Sequence, residues 1–217
     1  IPTEHEPPSD FDSERLDRLQ RHAFDYFLHE TNPNNGLVAD NSQLGAPASI
    51  ASVGFALGAY VVGVERDWIS RKEAIQRTLS ILRFFWTSEQ SPAPNATGHK
   101  GFYYHFLDMK TGKRAGNCEL STIDTGILLA GMLLAAAFFD RDTKQEREIR
   151  TLADDIYRRV DWKWACNGKA TITHGWTPED GFLPYRWEGY DEAGLLYFLA
   201  LGSPSQPLPK ESYKAWT

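Results

Sequence analysis

The chain has 217 residues, of which 41% are hydrophobic and 13% aromatic, enough for one large domain with a buried core or for two small ones. Its formal net charge of −6 argues against a nucleic-acid partner, because phosphate binding needs a basic surface. Two cysteines, Cys118 and Cys166, are too few for a disulfide framework and have no metal-ligand spacing around them. The longest strongly apolar run, residues 127–139, is shorter than the roughly 20 residues that span a bilayer.

The first elements are predicted to be helical. Residues 1–12 are Pro-rich and acidic, which predicts an extended lead-in to a helical domain over 13–217, whose first helix begins with Ser13 as its N-cap. A second helix, 49–66, is small or apolar on every side, a pattern typical of a helix that is enclosed by its neighbours. A third helix follows Ser70, which opens a capping-box pattern.

The middle of the chain alternates aromatic segments with helices. Residues 102–108 are strand-like, with a turn predicted at 110–112 and a return strand at 113–118. A long apolar helix is then predicted over 121–139 and a charged amphipathic helix over 143–160.

A second aromatic region, from Asp161, leads to a predicted loop or hairpin over 171–187 and a last helix over 192–201. An apolar helix is thus followed by an amphipathic helix and then by an aromatic loop. Enclosed apolar helices and solvent-facing amphipathic ones predict two concentric helix layers, an all-α α/α toroid. An irregular helical bundle is the alternative.

Two carboxylates, Glu119 and Asp124, flank the start of the most apolar predicted helix, directly after the aromatic segment. Ser121 or Thr122 would cap that helix, and Asp124 would lie in its first turn, where negative charge is stabilised. Asp124 could therefore be an active-site carboxylate or simply part of a helix cap, and the sequence leaves both interpretations open.

The segment 186–197 concentrates carboxylates and aromatic rings ahead of an apolar helix, a combination that points to carbohydrate chemistry. The side chains are Trp187, Glu188, Tyr190, Asp191 and Glu192. Because Glu192 abuts apolar residues, we expect partial burial to raise its pKa, as a general acid requires. A solvated carboxylate or a helix cap is the alternative, and is the preferred interpretation for Glu188.

Trp176 and Trp187 are candidate platforms for a sugar ring, with ordinary packing as the alternative. His105 lies within the aromatic strand, where a histidine is more often a structural group than a base. The His-Glu pairs at 5–6 and 29–30 lack further ligand spacing, so neither a metal nor another cofactor is predicted.

Four stretches carry a family resemblance over nearly the whole chain from about residue 13. They are residues 49–55 with 63–70, residues 101–108 (GFYYHFLD), residues 119–125 (ELSTIDT), and Gly175-Trp176 through WEGYDEA at 187–193. In this order they resemble the bacterial glucoamylase-like family, which includes endo-β-1,2-glucanases and a domain of cyclic β-1,2-glucan synthases.

The resemblance implies an (α/α)₆ toroid that hydrolyses β-glucan with inversion, without a metal or other cofactor. It implies Glu192 as the general acid, with Asp124 and Glu119 as further catalytic carboxylates. The side chains that it implies in binding an oligo- or polysaccharide are Asp40, Tyr104, His105, Trp176, Trp187, Tyr190 and Asp191. It also favours a periplasmic or secreted location.

Members of that family are about twice as long, so we expect this chain to be the amino-terminal half of a toroid with an exposed apolar face. The missing carboxyl-terminal half or a second copy would then be its protein partner. A non-catalytic glucan-binding or structural half-toroid is the main alternative, and turnover of linear β-1,2-glucan separates the two. A polysaccharide lyase is a further alternative, and so is a terpene cyclase, although the chain lacks the Asp-rich magnesium motif of a cyclase.

Overall fold

The computed structural model describes residues 10–217, which form a helix-rich fold with two small sheets. The helices are α1 Asp10–His29, α2 Ile50–Glu65, α3 Arg71–Thr87, α4 Thr122–Phe138, α5 Lys144–Arg158, α6 Trp162–Ala165, α7 Gly194–Gly202 and α8 Lys210–Trp216. Within these residues, every helix is too short or too polar to cross a membrane.

Four helices begin where the sequence predicts, because a hydroxyl side chain caps each of them. The caps of α2, α3, α4 and α5 are Ser49, Ser70, Ser121 and Thr143, and each accepts a hydrogen bond from the amide three residues ahead. Other bounds differ. Helix α1 begins before Ser13, α7 begins two residues after Glu192, and α8 was not predicted.

Helices α2 and α4 are in backbone contact at two glycines. A Cβ atom on Gly131 would lie 2.2 Å from the carbonyl oxygen of Gly54, and one on Gly54 would lie 2.6 Å from that of Ile127. Further along both helices, Gly58 faces Leu134. The two helices therefore run in the same direction, with their amino-terminal ends side by side.

Helix α3 packs against α2, α5 packs against α4, and α3 and α5 pack against each other. A nearly buried ion pair joins them, because Arg71 Nη2 lies 2.7 Å from Glu146 Oε2 and only 2% of the Glu146 side chain is exposed. The hydrogen bond from the Arg71 guanidinium lowers the pKa of the Glu146 carboxyl. A second pair, Arg83 with Glu148, joins the same helices at the surface.

Seven short strands are described, and all of them lie in the segments that connect the helices. Strands β1 (Ala48–Ser49) and β4 (Phe106–Leu107) form one antiparallel pair. Strands β2 (Gly98–His99), β3 (Phe102–Tyr104), β5 (Leu120–Ser121), β6 (Gly175–Thr177) and β7 (Gly181–Phe182) form an antiparallel sheet in that order. The hairpin expected over 171–187 is confirmed by β6 and β7.

The predicted return strand over 113–118 is wrong. The turn itself is present, since Gly112 donates its amide to Asp108, but pairing after it is limited to a bridge between Leu107 and Arg114. The partner of β3 is β5, which follows this segment directly. Strands of two or three residues depend on the surrounding packing more than on local pattern.

Alternation along the strands gives the larger sheet two distinct faces. The paired residues Tyr104, Leu120, Trp176 and Phe182 share one face. Their neighbours Tyr103, Ser121, Gly175 and Gly181 share the other. Aromatic side chains therefore dominate one face of the sheet.

The apolar helices are only partly enclosed by the described residues, as we expect of a chain that supplies only some of their neighbours. Each of α2, α4 and α7 buries several side chains and leaves at least one large apolar side chain exposed. These side chains are Phe55, Val62, Leu134, Leu195 and Phe198. The expected exposed apolar surface is therefore present on this chain.

Candidate active site

His105 lies at a junction between the starts of α2 and α4. It separates β3 from β4, which pair with the strands that lead into those two helices. Its amide donates to the carbonyl of Glu119 at 2.9 Å, and its own carbonyl accepts from the amide of Ile50 at 3.2 Å. The backbone of His105 thus ties both helix starts together and fixes the direction of its imidazole.

The imidazole of His105 lies between two carboxylates. Its Nδ1 donates to Oε1 of Glu119 at 2.9 Å, and its Nε2 lies 3.6 Å from Oδ2 of Asp124. The first is a hydrogen bond and the second an ion-pair distance. The ring also stacks on Phe106, with centroids 3.9 Å apart. The residue between β3 and β4 and the segment that leads into α4 therefore converge on one charged cluster, His105–Glu119–Asp124.

The cluster favours a protonated His105 and an ionised Glu119. The hydrogen bond to Glu119 raises the pKa of His105 against the opposing effect of burial, and the charges of Asp124 and Asp40 add to the increase. The same hydrogen bond lowers the pKa of Glu119. Glu119 is therefore suited to remain an anion near neutral pH rather than to donate a proton.

Asp124 takes part in the helix cap and also faces His105. Its amide donates to Ser121 Oγ as part of the helix cap, and the Ser121 hydroxyl donates back to Asp124 Oδ2 at 2.5 Å. The same carboxylate faces His105, and 14% of its side chain is exposed. Capping therefore holds this carboxylate within the cluster.

Among the described residues, the same three side chains form the group that could offer ligand atoms to a metal ion, all within 4.8 Å of one another. Both ring nitrogens of His105 already face carboxylate oxygens. A metal would have to displace one of these contacts, whereas a doubly protonated imidazole satisfies both. The geometry favours a bound proton over a bound cation.

Glu192 lies outside that cluster, in a turn before α7. The partial burial expected from its apolar sequence neighbours is wrong, because Glu192 is exposed and precedes the helix rather than opening it. Ala193 and Leu196 are buried beside it, so the turn directs the carboxylate to solvent while its neighbours fill the core. Adjacent residues in a turn need not share one environment.

Asp191 and Glu188 are engaged in local contacts. Asp191 Oδ1 accepts from the Ala193 amide at 3.0 Å and from the Trp216 indole at 2.8 Å. Glu188 accepts from the Thr171 hydroxyl at 2.6 Å. The interpretation of Glu188 as a surface carboxylate agrees with its exposure. Trp216, on the unpredicted helix α8, is a contact that the sequence analysis missed.

The candidate sugar-binding aromatics occupy different environments. Tyr104 is fully buried under the guanidinium of Arg114, which is at odds with a direct sugar contact. Trp187 is 9% exposed, and its indole donates to Thr122 at the start of α4, so most of its ring is committed to packing. Packing explains both, since Tyr104 lies against Arg114 and Trp187 stacks on His174 and bonds to the start of α4.

Two aromatic candidates remain accessible. Trp176 is partly exposed and contacts His99 and Trp164, with ring centroids 5.2 and 5.8 Å away. It lies on the sheet face opposite Ser121. Tyr190 is 71% exposed and stacks one face of its ring on Trp216. Tyr190 is therefore the more accessible ring, and it is two residues from Glu192.

The candidate carboxylates lie at the starts of neighbouring apolar helices. Near the start of α4, a Cβ atom on Gly126 would lie 3.2 Å from Leu196, near the start of α7. Trp187 contacts the first residue of α4. Asp40, exposed in the loop before β1, adds its charge to the field at His105. The structure therefore brings Asp40, Glu119 and Asp124 to one end of the helices, with Glu192 preceding the adjacent helix.

Known proteins share this architecture. The family model "Glycoamylase" ("Putative glucoamylase") matches residues 184–217. A curated relative, the exo β-1,2-glucooligosaccharide sophorohydrolase (non-reducing end) of Parabacteroides distasonis, is 28% identical over 94% of this chain. A solved β-1,2-glucanase from Parabacteroides distasonis superposes over 97% of the chain with a TM-score of 0.84 and 26% identity. The endo-β-1,2-glucanase of Chitinophaga pinensis, solved with sophorotriose and glucose, superposes over 94% with a TM-score of 0.83 and 23% identity, and supports the fold alone.

The chain spans only part of each of these proteins: 29% of the sophorohydrolase, 30% of the solved Parabacteroides distasonis protein and 50% of the Chitinophaga pinensis protein. Within that part, the alignments cover nearly all of this chain. The resemblance to the glucoamylase-like family is therefore confirmed, over about half or less of the length of its members.

Proposed function

We propose that this chain is part of a glycoside hydrolase that acts on β-glucan, most specifically β-1,2-glucan, by an inverting acid/base mechanism. The observation that carries the proposal is the charged cluster His105–Glu119–Asp124 at the amino-terminal ends of apolar helices, beside a loop that presents Glu192 to solvent. The names of the relatives supply the substrate class, since they are hydrolases of β-1,2-linked glucans.

We further propose that the chain is part of an α/α toroid. The parallel starts of α2 and α4, with α3 packed against α2 and α5 against α4, fit an inner and an outer layer of such a ring. The exposed apolar side chains of α2, α4 and α7 would then face further helices of the complete gene product.

In the proposed reaction, Glu192 donates its proton to the glycosidic oxygen as the bond from that oxygen to the anomeric carbon breaks. Because Glu192 is exposed on this chain, the enclosure that a general acid needs would come from the bound glucan and the rest of the complete gene product. A water attacks the anomeric carbon from the opposite face and gives its proton to a carboxylate, directly or through a relay. Direct activation requires carboxyl groups roughly 6.5–9.5 Å apart. Asp124 is our candidate acceptor, and anionic Glu119 with protonated His105 fixes the charge around it.

Tyr190 is the proposed platform for a sugar ring, because it is the most exposed aromatic candidate. Trp176 and Asp40 are proposed as further sugar contacts. Tyr104 and Trp187 are better suited to shape the site from within the core. Asp191 acts through the loop rather than on the sugar, because its Oδ1 already accepts two hydrogen bonds.

The test is turnover of linear β-1,2-, β-1,3- and β-1,4-glucans by the complete gene product and by this chain alone. We expect new reducing ends from β-1,2-glucan and their loss in Glu192→Gln, which keeps the shape but removes the acid. Binding without turnover by the complete product would favour the non-catalytic glucan-binding alternative. Absence of both binding and turnover on every glucan would refute the proposal.

A further inference from the structure

We propose that Trp216 is a positioning residue that fixes the loop 188–193 and thereby the direction of Glu192. The role of Glu192 rests on the proposed function, whereas the anchoring of the loop rests on the contacts of Trp216 alone. Trp216 lies on α8, about 25 positions along the chain from this loop, and is 3% exposed.

Three different parts of Trp216 hold the loop. Its carbonyl accepts from the amides of Gly189 and Tyr190 at 2.7 and 3.2 Å. Its indole N–H donates to Asp191 Oδ1 at 2.8 Å, and this oxygen also accepts from the Ala193 amide. Its ring stacks against Tyr190, with centroids 5.1 Å apart and planes at 22°. One residue therefore contacts the loop through its backbone, its polar edge and its ring face.

Trp216 also contacts helix α7, which follows the loop. The Trp216 ring also stacks on buried Tyr197 of α7, with centroids 5.2 Å apart. A Cβ atom on Gly194, the first residue of α7, would lie 3.3 Å from Trp216 Cη2. Trp216 thus contacts residues on both sides of Glu192, and the position of the carboxylate follows from the position of the indole.

The loop needs such an anchor because its backbone is in an unfavourable conformation. Tyr190 has φ of 60°, which is uncommon for an aromatic residue, whereas the φ of 97° at Gly189 is one that glycine adopts freely. Residues 188–192 are also exposed, so burial of the loop itself contributes little. A strained, exposed segment keeps one conformation only where surrounding contacts over-determine it.

The first readout is amide hydrogen exchange in this chain. In Trp216→Phe, the loss of the indole donor leaves Asp191 without that partner, and exchange at Ala193 and Tyr190 should rise about tenfold. The matched control is Trp162→Phe, a buried tryptophan of α6 that packs edge-on against Phe102. A second variant, Asp191→Ala, removes the acceptor of the indole and also the acceptor of the Ala193 amide, so its readout is exchange at Tyr190, which should rise without altering α8.

The second readout is a substrate comparison in the complete gene product. Misplacing the acid should lower β-1,2-glucan hydrolysis about 10²-fold in Trp216→Phe. An aryl β-glucoside with a good leaving group should lose less, because it needs little protonation. A purely structural defect would lower both rates by the same factor, as we expect for Trp162→Phe.

The outcomes separate the anchor from the proposed function. Unchanged exchange at Tyr190 in both Trp216→Phe and Asp191→Ala would overturn the anchoring. Faster exchange with equal losses on both substrates would overturn the positioning of Glu192. If the wild-type product cleaves no glucan, the role of Glu192 fails with the proposed function, and exchange alone decides whether Trp216 anchors the loop.

Discussion

Replacing His105 with glutamine should destabilise the chain by an amount that depends on pH. The variant removes the imidazole that lies between Glu119 and Asp124. In the wild-type chain, Nδ1 of His105 is 2.9 Å from Glu119 Oε1, and Nε2 is 3.6 Å from Asp124 Oδ2. A hydrogen bond between charged groups contributes about 1.5–3 kcal/mol. Solvent reaches about a third of each side chain of the His105 and Glu119 pair, so we expect about 1–2 kcal/mol.

The sign of the pH dependence follows from the two pKa shifts. The pKa of His105 is raised, so its contribution is complete below the unfolded value of 6.5 and is lost as pH rises through the folded value. The pKa of Glu119 is lowered, so its contribution is complete above 4.5 and is lost as pH falls through the folded value. The destabilisation by His105→Gln should therefore be largest between pH 4.5 and 6.5.

Urea unfolding at several pH values measures this difference. We expect a decrease of roughly 0.5 M in the midpoint near pH 5.5, and a smaller decrease above pH 8. His99→Gln is the matched control, because burial lowers the pKa of His99 and its pH trend should be opposite. A decrease for His105→Gln that is the same at all pH values, or larger at pH 8, would refute the charged-cluster account.

Three further variants test packing, a buried charge and the site. Gly131→Ala should cost about 1–3 kcal/mol in urea unfolding because its Cβ meets backbone, whereas Gly58→Ala, with ordinary contact at 3.5 Å, should be neutral or stabilising. Glu146→Gln should cost about 2–4 kcal/mol at pH 7 and Glu148→Gln less than about 1, because only the first strands a nearly buried arginine; equal costs would contradict this. Asp124→Asn should cost about 1 kcal/mol or less, because Ser121 still caps the helix and only the 3.6 Å contact with His105 loses its charge, while glucan turnover falls about 10²-fold or more; retained turnover would leave Asp124 a structural residue.

Local signals explain what the sequence predicted correctly. The starts of α2, α3, α4 and α5 depend on hydroxyl caps that bond within three residues, so the pattern and the structure agree there. The pairing of Glu119 and Asp124 in one region was also predicted, because they flank one helix start. That His105 lies between them was not, since its neighbours come from separate strands.

The misses have non-local causes. Helix α8 has no side-chain cap and spans seven residues, so nothing in its local sequence marks its start. The exposure of Glu192 follows from its place in the turn before α7, which adjacency to Ala193 cannot indicate. The burial of Tyr104 likewise follows from packing on both faces of β3, whose three residues are all fully buried.

The central claim is that the complete gene product cleaves β-1,2-glucan with inversion, using carboxyl groups positioned by this chain. The most direct measurement is ¹H NMR of the anomeric protons during the first minutes of hydrolysis, before mutarotation. The account predicts that the new reducing end appears first as the α-anomer, and that this signal is absent in Glu192→Gln. Initial formation of the β-anomer, or an undiminished α signal in Glu192→Gln, would contradict it.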